Sequence, residues 1–94
     1  MPEVLSDEAV DAALGERGLD WRREGDQLVK TLRRDRFVGA LAFVNEVGRL
    51  AEEADHHPDI DIRWDTVTLH LSTHAAGGLT ENDLALAAQI DAIS

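Results

Sequence analysis

Apolar residues recur at three- and four-residue steps in three segments of the chain, which is the spacing of one face of an α-helix. These segments predict helices over about residues 7–17, 36–54 and 81–93. The middle segment is the longest, and its apolar stripe consists of Phe37, Leu41, Val44, Val47 and Ala51. Further small and apolar residues widen this stripe, so we expect the middle helix to pack against more than one neighbour.

Signals for the ends of these helices agree with the periodicity. Ser6, Asp35 and Thr80 are placed as N-caps, because their side-chain oxygens can accept hydrogen bonds from the first turn of a helix. Thr80 and Asp83 also have the spacing of a capping box. Pro58 ends the middle helical region, since proline disfavours helical geometry in the residue before it.

Alternating apolar and polar residues lie between the helices and predict four strands. The strands are expected over about residues 21–24, 27–33, 59–64 and 67–73. Gly25-Asp26 and Asp65-Thr66 are turn signals, so the strands should form two hairpins. Ile60, Ile62 and Trp64 should share one face of the third strand, because side chains alternate between faces.

The predicted order of elements is αββαββα, which is typical of an α+β fold. We expect a four-stranded antiparallel sheet with the three helices packed on one face, in a single domain spanning residues 1–94. Leu28 and Leu32 should face the same side of the second strand. Lys30 lies between them and is a mismatch in an otherwise apolar face.

The net charge of the chain restricts the kinds of molecule that it can bind. Asp and Glu number 19 against 9 Lys and Arg, a formal net charge of −10 at pH 7. This charge would repel a phosphate backbone and argues against nucleic acid as a partner.

No stretch approaches the roughly 20 apolar residues of a membrane span, and the acidic first eight residues lack the apolar run of a signal peptide. With no cysteine, we expect a cytoplasmic protein without disulfides.

Three of the four histidines lie where one predicted element gives way to the next. His56 and His57 follow the middle helix and precede Pro58, and His74 ends the fourth strand. Histidine changes charge nearest neutral pH, so this grouping suggests proton transfer. Glu52 lies one helical turn before His56, on the same face, and could orient its imidazole.

Other interpretations of these residues stay open at the level of sequence. The capping box alone would explain Asp83, and His74 is equally compatible with an exposed loop position. Histidines with carboxylates also allow a zinc site, but their spacing matches no metal motif, so no metal is expected. Trp21 and Trp64 are large apolar groups of a kind found most often in the core, but a flat ring ligand would also want an aromatic wall.

The spacing of these motifs resembles the signature of the pterin-4a-carbinolamine dehydratases. The matching residues are Glu52, His56, His57, Pro58, Trp64, His74 and Asp83. Trp21, residues 37–54 and the Leu71-Ser72-Thr73-His74 segment are also similar to the family, so the resemblance covers nearly the whole chain. It implies the same αββαββα fold that the periodicity predicts.

The resemblance also implies an activity. Family members are hydro-lyases that remove water from 4a-hydroxytetrahydrobiopterin to give quinonoid dihydropterin, without a metal or organic cofactor. It implies that His56 and His74 are the acid/base pair, that His57 contacts the pterin, and that Glu52 and Asp83 orient the imidazoles. It implies contacts with the substrate from Trp21, Asp55, His56, His57, Pro58, Ser72, Thr73 and His74. A homodimer or homotetramer is expected from the likeness and the wide apolar helix.

The sequence departs from the animal pattern on the third strand. Ile60 replaces a common Trp, Ile62 an Asn and Trp64 a Tyr, which bears on preference for the pterin side chain more than on the reaction. The alternative function is a non-catalytic pterin-binding or regulatory protein-interaction module of the same fold. The intact set of histidines disfavours that alternative, and a role beside molybdopterin enzymes stays open.

Overall fold

The computed structural model describes residues 2–94. Within them lie three helices and four strands: α1 (Asp7–Glu16), β1 (Arg22–Glu24), β2 (Gln27–Arg33), α2 (Arg36–Ala54), β3 (Asp59–Arg63), β4 (Thr66–Leu71) and α3 (Glu81–Ile93). This order confirms the αββαββα prediction. Each boundary also lies close to the expected one, because the periodicity, the caps and the turn residues all agree on where the elements end.

The strands form one antiparallel sheet in the order β1-β2-β4-β3. Each hairpin pairs its own two strands, and the central pair, β2 with β4, joins the two hairpins. This pair runs from Leu28 opposite Leu71 to Arg33 opposite Thr66. The two ends of the sheet are therefore the short strand β1 and the strand β3.

The core lies between one face of the sheet and the helices, as predicted. Its sheet side is built from residues of the two central strands that have no exposed surface, namely Leu28, Val67, Leu69 and Leu71. Its helix side includes Val10, Ala40, Phe43, Val47, Leu84, Ala87 and Ile90. Full burial of a leucine or valine side chain stabilises a fold by about 1.5–3 kcal/mol.

The apolar stripe predicted for α2 is only partly correct. Phe37 is 46% exposed and Leu41 is 39% exposed, whereas Ala40 and Phe43 are buried against the core. The helix is rotated so that the small side chain of Ala40, rather than that of Phe37 or Leu41, lies in the core. Val38, which is 67% exposed, lies on the outer side with the other two, so α2 presents an apolar surface away from the core.

Trp64 does not continue the apolar face of β3, contrary to the prediction. It lies in the β3–β4 turn with φ of 56° and is 68% exposed. The turn is at Trp64-Asp65 rather than at Asp65-Thr66. The carboxylate of Asp65 accepts hydrogen bonds from Arg33 at 2.7 Å and Thr66 at 3.0 Å, and its carbonyl accepts one from the backbone of Arg34 at 2.8 Å. These contacts hold the turn one residue earlier than alternation suggested.

The mismatch at Lys30 has a structural explanation. Its side chain is only 5% exposed, and Nζ lies 3.1 Å from a carboxylate oxygen of Asp91 and 3.2 Å from the carbonyl of Asp20. The indole Nε1 of Trp21 donates to the same carboxylate at 2.8 Å. A buried charge with matched partners is tolerated in a core, and this one ties β2 to the end of α3.

Two of the three predicted caps make their bonds. The hydroxyl of Ser6 accepts from the backbone of Ala9 at 3.1 Å, and Thr80 and Asp83 form a complete capping box at the start of α3. The side chain of Asp35 makes no capping bond to α2. Among residues 2–94, no helix is long and apolar enough to cross a membrane.

Candidate active site

The end of α2 fixes the positions of His56 and His57. Asp55 adopts a left-handed conformation with φ of 50°, which stops the helix. The backbone N–H of Asp55 bonds the carbonyl of Glu52 at 3.2 Å, and that of His56 bonds the carbonyl of Ala51 at 3.1 Å. These bonds fasten the first two residues after the helix to its last turn. Both histidines consequently have defined backbone positions before β3 begins.

A closed loop after β4 carries His74. The backbone N–H of Thr73 bonds the carbonyl of Gly78 at 3.0 Å, so residues 74–77 form a tight turn between them. Gly77 has φ of 80°, which a residue with a side chain rarely adopts. A Cβ on Gly78 would lie 2.8 Å from Cγ1 of Val4. This glycine therefore allows close approach of a neighbouring segment rather than of a ligand.

The carboxylate of Asp83 joins the two sides of the site. It has no exposed surface, and Oδ1 lies 2.5 Å from Nε2 of His56. Its other oxygen, Oδ2, accepts hydrogen bonds from the hydroxyl of Thr73 at 2.8 Å and from the backbone N–H of Thr80 at 2.9 Å. One residue therefore caps α3 and holds an imidazole, and the capping and catalytic interpretations of Asp83 are compatible.

Glu52 pairs with His57 rather than with His56. Its carboxylate lies 2.8 Å from Nε2 of His57, and both side chains are largely exposed. The expectation that Glu52 orients His56 is wrong, because the left-handed turn at Asp55 breaks the helical relationship between positions 52 and 56. The two adjacent histidines therefore have different carboxylate partners, one buried and one in contact with solvent.

A cleft of about 430 Å³ lies between the end of α2, the loop after β4 and the start of α3. Its volume falls in the range of sites for small organic ligands. The residues that line it are Asp55, His56, His57, Ser72, Thr73, His74, Ala75 and Asn82. The structure thus brings together six of the residues that the sequence proposed for catalysis or substrate contact. The imidazole of His74 is exposed and makes no hydrogen bond with residues 2–94.

Asn82 lines the cleft and was not among the predicted site residues. It lies in the first turn of α3, next to Asp83, and that adjacency was the signal available in the sequence. Beside it, the pKa of Glu81 lies below its ordinary value, because Arg17 donates hydrogen bonds to that carboxylate at 2.6 and 2.8 Å. This pair joins the first residue of α3 to Arg17, the residue that follows α1.

Several residues singled out in the sequence lie elsewhere. Trp21 is buried and borders a separate cleft of about 270 Å³ beside Lys30. Pro58 does not line the histidine cleft, and the imidazole of His70 bonds the side chain of Gln27 at 2.9 Å. Across residues 2–94, no group of three or more His, Asp or Glu side chains is arranged to hold a metal ion.

The fold and the cleft define a small α+β protein with a candidate acid/base site. The profile of the family described as "Pterin 4 alpha carbinolamine dehydratase" matches residues 3–93. The chain belongs to the pterin-4-alpha-carbinolamine dehydratase family.

Curated relatives give the same result. One from Nocardia farcinica is 52% identical over 92 residues, which covers 98% of this chain and 96% of the relative. One from Mycobacterium tuberculosis is 51% identical over 90 residues, covering 96% of this chain and 95% of the relative. Both relatives are named only provisionally as dehydratases of this family. The similarity therefore shows membership of the family and not the reaction.

Solved structures share the fold. A protein from Brucella melitensis, described as a transcriptional coactivator/pterin dehydratase, superposes with a TM-score of 0.88 at 29% identity, over 97% of this chain and 98% of that one. A second structure, described as a pterin dehydratase-like protein and RuBisCO assembly factor of the alpha-carboxysome, has a TM-score of 0.63 at 25% identity, over 80% of this chain and 87% of that one. The fold therefore occurs in proteins described in different functional terms.

Proposed function

We propose that this protein is a 4a-hydroxytetrahydrobiopterin dehydratase that uses histidine acid/base catalysis and supports tetrahydropterin recycling. The observation that carries the proposal is the convergence of His56, His57 and His74 on one cleft of about 430 Å³. These residues come from two separate junctions in the chain. Membership in the dehydratase family supplies the class of substrate.

The reaction explains why histidines are suitable. Loss of the 4a-hydroxyl group requires an acid that protonates the leaving oxygen and a base that accepts the N5 proton. The oxidation level of the pterin does not change in this step, so the proposed reaction needs no redox cofactor. We assign the two proton transfers to His56 and His74, and contact with the pterin to His57.

The environments of the two catalytic histidines differ in a way that suits two roles. His56 is 10% exposed and its ring is held by the buried Asp83. His74 is exposed on a loop and its ring has no partner among residues 2–94. One imidazole is fixed in orientation and the other can adjust to the substrate. Pairs of titrating groups in unlike surroundings are a common basis for dividing acid and base functions.

Substrate contacts in this proposal come from the cleft. Asp55 and Ser72 provide polar groups toward a pterin ring, while Pro58 acts through the direction that it gives the chain after His57. Trp21 is not retained as a contact. It is buried, bonded to Asp91 and borders a different cleft.

The proposal includes self-association in the cytoplasm. Phe37, Val38 and Leu41 form an exposed apolar surface on α2, and apolar helix faces of this kind pack against a second subunit in many homo-oligomers. A homodimer or homotetramer would cover it. The lack of cysteine is compatible with a reducing compartment.

A non-catalytic module is the second candidate function. The specific observation in its favour is the structural similarity, with a TM-score of 0.63, to a chain described as a RuBisCO assembly factor. Fold similarity alone does not determine function. In this candidate the cleft would bind a pterin, or nothing, and the protein would act through a partner.

The deciding experiment follows the dehydration of enzymatically generated 4a-hydroxytetrahydropterin by ultraviolet absorbance. Wild type is compared with a His56→Ala/His74→Ala variant and with His70→Ala, a matched histidine outside the cleft. We expect acceleration by wild type and by His70→Ala, and none by the double variant when circular dichroism shows that it is folded. A folded wild type that gives no acceleration would reject the enzyme and favour the module.

A further inference from the structure

Two buried threonine hydroxyls lie beside the carboxylate of Asp83. Thr73 follows β4, and Thr80 is the N-cap of α3. Thr73 is 7% exposed and Thr80 has no exposed surface. Their Oγ1 atoms lie 2.9 Å apart, and Oγ1 of Thr73 lies 2.8 Å from Oδ2 of Asp83. At the other end, Oγ1 of Thr80 accepts a hydrogen bond from the backbone N–H of Asn82 at 3.2 Å. The four groups form one chain of hydrogen bonds, called here the threonine relay.

Counting protons fixes the direction of the threonine relay. A hydroxyl has one proton, and a carboxylate can only accept. The proton of Thr73 therefore points to Oδ2 of Asp83, since that contact needs a donor. Thr73 has no second proton, so Thr80 must donate to Thr73 across the 2.9 Å contact. The backbone N–H of Asn82 then fills a lone pair on Thr80.

The same count determines which ring nitrogen of His56 carries the proton. Oδ2 of Asp83 already accepts from Thr73 and from the backbone N–H of Thr80. Oδ1 faces Nε2 of His56 at 2.5 Å. Because the carboxylate is an acceptor, the hydrogen of this contact belongs to Nε2, and a neutral imidazole then keeps its lone pair on Nδ1.

Building on the proposed function, we infer that Thr73 and Thr80 are positioning residues that hold His56 as the Nε2–H tautomer, so that Nδ1 exchanges the proton with the substrate. Thr73 acts through Asp83 and does not itself touch the reacting atoms. Nδ1 makes no hydrogen bond with residues 2–94, which leaves it available to a ligand.

The neighbouring pair shows what the threonine relay adds. His57 also meets its carboxylate, Glu52, through Nε2, at 2.8 Å. The side chain of Glu52 is 78% exposed, and its carboxylate makes no other hydrogen bond with residues 2–94, so it is free to turn. Asp83 is held at both oxygens and buried. The orientation of His56 is consequently fixed by the fold, whereas that of His57 is left to solvent and ligand.

The test reads the tautomer directly, by ¹⁵N nuclear magnetic resonance of protein labelled in its histidine rings. Wild type is compared with two variants. Thr73→Val keeps the branched shape without the hydroxyl, and Thr73→Ser keeps the hydroxyl without the methyl group. Thr31→Val is the matched control, because Thr31 and Thr68 form another hydroxyl pair, at 3.2 Å, on the exposed face of the sheet. Turnover is measured on all four proteins.

We expect neutral His56 in wild type to carry its proton on Nε2. In Thr73→Val the ring should become a mixture of tautomers and turnover should fall about tenfold, the usual effect of losing a hydrogen bond to a charged group. Thr73→Ser should recover both properties, and Thr31→Val should change neither. A loss of packing alone would lower stability without redistributing the tautomers.

Two results would overturn the inference. One is a wild-type His56 ring with its proton on Nδ1, which needs no variant and decides the matter even where Thr73→Val does not fold. The other is a folded Thr73→Val with wild-type tautomer and wild-type turnover. If wild type shows no turnover but its Nε2–H ring becomes mixed in Thr73→Val, the threonine relay stands and the proposed dehydration is rejected.

Discussion

Asp83 and His56 lie 27 positions apart in the chain and meet at 2.5 Å. The contact places the first turn of α3 against the second residue after α2. The carboxylate that makes this contact also completes the cap of α3. In the proposed mechanism, catalysis and the stability of α3 would therefore depend on the same side chain.

Replacement of Asp83 by Asn should lower both activity and stability. The amide of Asn has one oxygen in place of the two carboxylate oxygens, so either His56 or the cap loses its acceptor. We expect kcat/KM to fall about 100-fold and the free energy of unfolding to fall by about 1–3 kcal/mol. The measurements are steady-state kinetics and urea denaturation.

Asp91→Asn is the control for this variant, because Asp91 also accepts several hydrogen bonds but lies at the other end of α3. It should lose stability while keeping kcat/KM. Equal losses of activity in both variants would mean that Asp83 acts only by supporting the fold.

Single replacements should separate the roles of the three cleft histidines. His56→Ala and His74→Ala should each lower kcat about 100-fold or more, because each removes a proton-transfer group. His57→Ala should raise KM about tenfold with little change in kcat, since it loses ground-state contact with the pterin. His70→Ala is the neutral reference. A kcat loss at His57 as large as that at His56 would contradict this division.

The ion pair between Glu81 and Arg17 should make stability depend on acid pH. Hydrogen bonds from Arg17 lower the pKa of Glu81 in the folded protein. The stabilisation of the folded protein by this ion pair is fully present above the pKa of Glu81 in the unfolded chain, about 4.3. It is lost as pH falls through the lower pKa of Glu81 in the folded protein. Both side chains are exposed, so solvent screening should keep the effect small.

The measurement compares urea midpoints of wild type and Glu81→Gln from about pH 6 to about pH 3. The two midpoints should differ at the upper end and converge at the lower end. Glu3→Gln is the control, because Glu3 is exposed and forms no ion pair within residues 2–94. A difference that stays constant over the whole range would exclude the linkage.

If the protein self-associates through the exposed surface of α2 as proposed, a single charge on that surface should disrupt the oligomer. Leu41→Glu should convert the assembly to a smaller species, because a carboxylate would have to be buried on association. Light scattering after size-exclusion chromatography measures the mass. Leu41→Met keeps the apolar character and should leave it unchanged. If wild type elutes as a monomer, the proposed self-association is wrong.

The positions of the elements could be predicted because their signals are local. The spacing of Val47 and Ala51, the cap at Thr80 and the turn at Gly25-Asp26 each act over a few residues and agree with one another. The cluster of His56 and His74 could be anticipated only through family likeness. Periodicity placed each at the end of an element without showing that the two ends meet.

The remaining features depend on the folded structure rather than on local signals in the sequence. Lys30 is acceptable in the core because Asp91, from the last helix, reaches it. Glu52 pairs with His57 because one left-handed residue redirects the chain. Trp64 is exposed because the bonds of Asp65 set the turn. None of these follows from a repeat of apolar positions, since each is decided by a contact between elements or by a single backbone angle.

The contact between Val4 and Gly78 gives the start of the chain a part in organising the site. The backbone N–H of Leu5 bonds the carbonyl of Leu79 at 2.8 Å, and Val4 covers Gly78 just after the loop that carries His74. A rigid fusion or affinity tag joined directly before this segment would strain that cover, whereas a tag after Ser94 would leave it untouched. Any change just before Val4 is therefore a variable that assays of this protein should control.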